Sequence, residues 1–120
     1  MRLAVTAAAV VGTLALGPTA VAGGVFLTVS PSVVHRGHFV TIRGSADGCP
    51  TGDTVFIISR AFARTREFAG VPAVLAKVRA SGGFRATTRI PLRRRPGRYG
   101  ITARCGGGNL GVLVRLTVRA

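Results

Sequence analysis

Between Arg98 and Cys105 the side chains change character at every step. Tyr99, Ile101, Ala103 and Cys105 fall on one side; Arg98, Gly100, Thr102 and Arg104 fall on the other. A period of two is the mark of a strand with one face buried and one in water. A helix repeats its apolar positions every three or four residues. The pattern recurs along the chain. Phe84, Ala86, Thr88 and Ile90 oppose Arg85, Thr87 and Arg89, and Val112, Val114, Leu116 and Val118 oppose Leu113, Arg115, Thr117 and Arg119. Within Phe39–Gly44, Val40 and Ile42 face away from Thr41 and Arg43. Three further runs, Val25–Ser30, Thr54–Arg60 and Val74–Ala80, bring the set to seven. Thr54–Arg60 is apolar on both sides, as expected of a central strand covered on both faces.

Turn chemistry separates these runs: Pro31 to Gly37, Asp47 to Asp53, Ser81-Gly82-Gly83, Pro91 to Gly97, and Gly106-Gly107-Gly108-Asn109. No segment carries a capped 3.6-residue pattern. Seven short strands so spaced predict an antiparallel β-sandwich. The connection Ala61–Pro72 is longer than a tight hairpin and holds Phe62, Glu67 and Phe68. It reads either as an extra edge strand or as one irregular helical turn.

The first 22 residues stand apart. Met1-Arg2 is a short basic start, Leu3 to Leu16 is apolar, Pro18 breaks the run, and Ala20-Val21-Ala22 supplies small residues for cleavage. This is the form of a secretory signal cut after Ala22. Its apolar stretch falls short of the roughly 20 residues of a membrane span. Residues 23–120 are then expected to form one exported, soluble domain, with no transmembrane segment and a monomer as the simplest state. Two cysteines, Cys49 and Cys105, in an exported chain argue for one disulfide. A metal centre drawing on Cys49, Cys105, His35 and His38 would need more ligands at closer spacing.

The charge is extreme. Lysine and arginine number 17 against three acids, for a net charge of +14; without Arg2 it is +13. Such a balance favours encounters with nucleic acid, anionic lipid or acidic wall polymers. Arginine also outnumbers lysine sixteen to one, and GC-rich coding yields that bias with no ligand involved. The arginines recur on the polar side of strands in both predicted sheets, which suits diffuse attraction to polyanions over a specific nucleic-acid footprint. Phe84 and Tyr99 lie on buried-side positions, where they cannot stack on bases. Only Arg93-Arg94-Arg95 exceeds what a sandwich needs, and Arg98 follows it on the polar side of the next strand. Arg93, Arg94, Arg95 and Arg98 form the candidate anion-contact loop, and the plainer reading of the run, a solvated bend, is the preferred one.

Chemistry is sparse. Asp47 and Asp53 flank a turn, where aspartate ordinarily serves local backbone. His35 and His38 lack a third ligand nearby, and no serine has a candidate His/Asp set. The glycines at 106–108 have no following Lys-Ser/Thr and no helix, so no phosphate loop and no cofactor are implied. No catalytic residue is assigned, and a non-enzymatic protein is the expectation.

In order, the chain shows Ser30-Pro31, Gly37 before a β-branched strand, Gly48-Cys49-Pro50-Thr51-Gly52, Gly83-Phe84 running to Pro91, and Pro96-Gly97-Arg98-Tyr99 leading to Cys105. This succession resembles the small immunoglobulin-like domains in secreted and surface proteins of high-GC Gram-positive bacteria. The Arg93–Arg95 run and the 61–72 insertion depart from it. The resemblance implies a seven-stranded immunoglobulin-like β-sandwich with one disulfide, its strands A, B, E and D in one sheet and C, F and G in the other. It places Cys49 just before strand C and Cys105 at the end of strand F, so that the bridge ties loops at one end. It gives Gly97 a structural place in the turn and Tyr99 the position of a corner tyrosine, its hydroxyl free to bond backbone across the bend; the alternative for Tyr99 is a simple core tyrosine. The implied function is a binding or structural module at or beyond the cell surface, with acidic wall or surface polymers as candidate partners. Phe62 and Phe68 form a candidate apolar contact loop. They also support a second reading, a carrier of a small apolar ligand. The architecture resembles the enediyne-chromophore apoproteins in this, but those have two disulfides and an acidic balance. A third reading is a cationic membrane- or wall-active protein.

Overall fold

The computed structural model describes residues 25–106 and 108–120; the signal segment read at residues 1–22 lies outside them. The described chain is all-β. Its strands are β1 (Phe26–Ser30), β2 (Val33–His35), β3 (Phe39–Ser45), β4 (Thr54–Ile58), β5 (Glu67–Phe68), β6 (Val71–Lys77), β7 (Gly83–Arg89), β8 (Gly97–Cys105) and β9 (Gly108–Arg119). They form a three-stranded sheet, β1-β3-β7, and a six-stranded sheet, β2-β9-β8-β4-β6-β5. The alternation explains the layering. Leu27, Val29, Val40, Ile42 and Phe84 from the first sheet meet Val55, Ile57, Ile101, Ala103, Leu116 and Val118 from the second in one apolar core. The alternate residues of the same strands, Arg43, Arg85 and Arg115 among them, stay exposed.

The strand count and sheet membership differ from expectation. Nine strands replace seven. Val33–His35, inside the stretch read as a turn, pairs in parallel with Thr117–Arg119 of β9. Glu67–Phe68 pairs with Val71–Pro72, so the 61–72 insertion takes the edge-strand alternative and not the helical one. The fourth predicted strand also changes sheets. β6 pairs with β4, from Thr54↔Lys77 to Ile58↔Ala73, which removes it from the four-stranded A-B-E-D arrangement. The reason is physical: the alternation of Val74, Ala76 and Val78 against Leu75, Lys77 and Arg79 marks a buried side but does not dictate which sheet the strand joins. Its hairpin with β4 decides, and Val78, 2% exposed, carries the chain across the core toward β7.

The two ends of the core are closed differently. At one end Cys49 and Cys105 form a disulfide with a Cα–Cα distance of 6.5 Å, just before β4 and at the end of β8. At the other, Phe62 is fully buried in the core cluster.

Two glycines are required by geometry. Gly37 has φ +85°, a backbone region that a side chain disfavours. Gly44 has no such φ, but a Cβ there would overlap the Phe84 ring and lie 2.6 Å from the Phe26 carbonyl oxygen. Phe84 therefore lies directly against the β3 backbone.

Candidate functional site

The arginine loop divides into residues of different kinds. Arg93 and Arg95 are exposed, while Arg94 is half-buried. Arg94 turns inward, where Nε donates to the Ala61 carbonyl at 3.3 Å and Nη2 to the Phe62 carbonyl at 3.0 Å. The Arg95 carbonyl accepts the Tyr99 hydroxyl at 2.5 Å, and the Arg94 amide donates to the Pro91 carbonyl at 3.1 Å. Gly97 opens β8 opposite Val118. Arg98 follows it, exposed on the outer face of β8 opposite Thr117. The bend is thus held together from within, and its central guanidinium is committed to backbone.

The aromatic pair of the insertion is also separated. Phe62 is 0% exposed, so it cannot act as a contact residue; it belongs to the core. Phe68 lies on the outer side of the six-stranded sheet, its ring 5.2 Å from that of Phe56, with the Arg104 guanidinium 5.0 Å from its centroid. That stack covers the outward face of β4, which explains why Thr54–Ile58 is apolar on both sides.

The three-stranded sheet presents the most coherent polar surface. Register sets its outward rows. Phe26 stands opposite Ser45, and Ser45 opposite Gly83; Thr28 faces Arg43, and Arg43 faces Arg85; Ser30 faces Thr41, and Thr41 faces Thr87. Phe39 faces Arg89 in the last row. The Thr41 and Thr87 hydroxyls hydrogen-bond at 3.1 Å. Arg89 Nε donates to the Gly37 carbonyl at 2.6 Å, which fixes its position at the end of the face. Arg79, from the β6–β7 connection, joins Arg43 and Arg85 around an open depression of about 430 Å³ beside Phe26 and Thr28.

No strand position on this face carries a carboxylate; Asp47 lies beyond the end of β3, in the turn. Among the described residues, the Glu67 carboxylate pairs instead with Arg64, at 3.2 Å, on the loop over the other sheet. Directly opposed like charges such as Arg43 and Arg85 destabilise a sheet slightly, a cost that a bound anion would relieve.

Two large apolar side chains project from the same face, Phe26 at 52% and Phe39 at 62% exposure. Unlike Phe84 and Tyr99, which the alternation places on buried sides, Phe26 and Phe39 have no role assigned from sequence. The signal was present, since Phe39 shares parity with Thr41 and Arg43, but an aromatic at a strand's first residue gives no local sign of its exposure.

His35 Nδ1 lies 2.9 Å from the Ala120 carbonyl oxygen, and the His35 and His38 rings are 6.0 Å apart. Among the described residues no group of three or more His, Cys, Asp or Glu side chains is placed to hold a metal. No helix there is long and apolar enough to cross a membrane.

No protein-family model and no curated protein matches the chain. Solved structures do. An alkylpurine DNA glycosylase of Pseudomonas fluorescens, AlkC, bound to DNA containing an abasic site analogue, aligns with a TM-score of 0.53 at 18% identity, over 80% of this chain and 29% of that one. Salmonella α2-macroglobulin reacted with methylamine aligns at 0.52 and 17%, over 78% of this chain and 6% of that one. The chain therefore corresponds to less than a third of the first protein and a small fraction of the second. At such identity the likeness is one of fold alone: this two-sheet β architecture recurs as a part of larger proteins.

Proposed function

We propose that this chain is an exported, non-enzymatic immunoglobulin-like module that binds anionic polymers at or beyond the cell surface. The strand order supports the immunoglobulin-like reading: β1-β3-β7 packed on a sheet centred on β9, β8 and β4. One disulfide between an early loop and a late strand agrees with export. The observation that carries the binding reading is the acid-free outer face of the three-stranded sheet, where Arg43, Arg79 and Arg85 surround one depression. Cations gathered without neutralising carboxylates raise the local concentration of polyanions and speed their capture. The carrier reading rests on Phe62 and Phe68, and of these Phe62 is fully buried.

The test is binding to acidic wall polymer and to anionic liposomes across a salt series. Affinity that falls steeply with salt, and falls further on Arg43→Ser/Arg85→Ser, supports the proposal. Unchanged affinity in that variant, or binding to liposomes alone, counts against it.

A further inference from the structure

We propose that the outer face of β1-β3-β7 is a platform for single-stranded nucleic acid, bound without regard to sequence. The inference rests on the polyanion reading above and names the polymer. A polymer recognised by charge alone needs only cations. This face also carries an exposed ring at each end, Phe26 and Phe39, in the midst of otherwise polar residues. Arginine suits phosphate because its planar fork can take two oxygens at once. Exposed phenylalanine suits an occupant with flat rings, since stacking on a base is tolerant of which base it is. Phosphate and flat rings in alternation define a nucleic acid strand. An unpaired strand is required, because a duplex hides its ring faces.

The dimensions agree. Phe26 shares a row with Ser45, and Phe39 lies six residues from Ser45 along β3, a span of about 20 Å at the rise of a strand. Thr28, Arg43 and Arg85 form the row next to Phe26, and Ser30, Thr41 and Thr87 the row after it. A strand lying along this path passes first a ring, then guanidinium groups, then hydroxyls able to bond phosphate or sugar oxygens, then a second ring beside Arg89. Single-strand readers combine these same elements, a basic track and aromatic steps.

The test uses the full chain with three probes of matched charge: a labelled oligothymidylate, a DNA duplex and inorganic polyphosphate, measured by fluorescence anisotropy or competition from 50 to 300 mM salt. Oligothymidylate is expected to bind most tightly. Phe26→Ala/Phe39→Ala should weaken it by about fivefold or more while leaving polyphosphate affinity and the salt slope unchanged. Arg43→Ser/Arg85→Ser should flatten the slope for every probe. Both aromatic positions are exposed, so the fold should survive, and circular dichroism of each variant checks this. Equal binding of oligothymidylate and polyphosphate, with no effect of the phenylalanine changes, overturns the nucleic-acid platform while the polyanion reading stands. Preference for the duplex overturns it as well. No binding to any probe at 50 mM salt overturns both.

Discussion

Arg94 is bonded to a turn more than thirty residues upstream in sequence: its guanidinium donates to the carbonyls of Ala61 and Phe62. The contact makes a structural clamp of a residue that charge alone marks as a ligand contact. It also ties the β7–β8 bend to the segment that closes the Phe62 end of the core. Hydrogen bonds from a charged donor contribute about 1.5–3 kcal/mol, and carbonyls left unpaired when the donor goes add to the cost.

Arg94→Ala should therefore lower stability by about 1–3 kcal/mol. Arg93→Ala and Arg95→Ala should stay within about 0.5 kcal/mol, as surface changes do. Urea denaturation of the three single variants separates these outcomes. Three equal, small effects would show that the bend is merely solvated.

Phe62 provides the apolar half of the same closure. Truncating a fully buried phenylalanine costs about 3–5 kcal/mol through lost transfer energy and the cavity left behind. Phe62→Ala should approach that range, a large share of the total stability of a domain this size. Phe68→Ala, which removes a partly exposed ring stacked on Phe56, should cost clearly less. Thermal unfolding of the pair decides the matter, and an inverted order would return Phe62 to the surface.

Gly44 is a sharper probe, because its requirement is steric and not conformational. A methyl group at this position would overlap the Phe84 ring and the Phe26 carbonyl. Gly44→Ala is expected to destabilise by about 1–3 kcal/mol, the usual cost of overpacking. Gly44→Ala combined with Phe84→Leu should recover part of the loss, since the shorter side chain yields space. If the double variant is worse by the sum of the two single costs, the proposed clash is absent.

What the sequence made legible was whatever is settled by nearest neighbours. Alternation set the inward and outward faces of β3, β7, β8 and β9, and the buried rows Val40/Ile42 and Ile101/Ala103 follow from it directly. What escaped depended on distant register. Val33–His35 is too short to show a period, and it becomes a strand only because β9 lies beside it. Val74 and Ala76 name a buried side but not a sheet until β4 pairs with their strand. The arginines posed the same difficulty: Arg43, Arg79 and Arg85 are far apart in the chain, and Arg93-Arg94-Arg95 is conspicuous only because it is contiguous. Convergence of the first set is a product of the register Arg43↔Arg85 and of the path of the β6–β7 connection.

The disulfide closes the end opposite Phe62, across a sequence separation of 56. A loop of that length, constrained in the unfolded chain, corresponds to about 4 kcal/mol in the chain-entropy model. Cys49→Ala/Cys105→Ala should lose about 2–5 kcal/mol, and reduction of the wild-type protein should reproduce the loss. A change below about 1 kcal/mol would mean that the loops at that end are already ordered by their hydrogen bonds. Those bonds run from Cys49 to the Ala46 carbonyl and from Gly52 to the Val78 carbonyl.

Salt offers the most direct view of the candidate face in the absence of any partner. Arg43 and Arg85 are cross-strand neighbours, and Arg79 joins them at the same depression. Their mutual repulsion is screened as ionic strength rises, because the Debye length shrinks from about 30 Å at 0.01 M to about 8 Å at 0.15 M. The wild-type melting temperature should therefore rise between these two conditions. Arg85→Ser should raise it at low salt and make it less sensitive to salt, because the variant removes the nearest like charge without touching the core. Phosphate should stabilise the wild type more than chloride at equal ionic strength, as binding to the folded state requires. A wild-type melting curve indifferent to salt and to phosphate would show that this arginine group carries no electrostatic strain and attracts no anion.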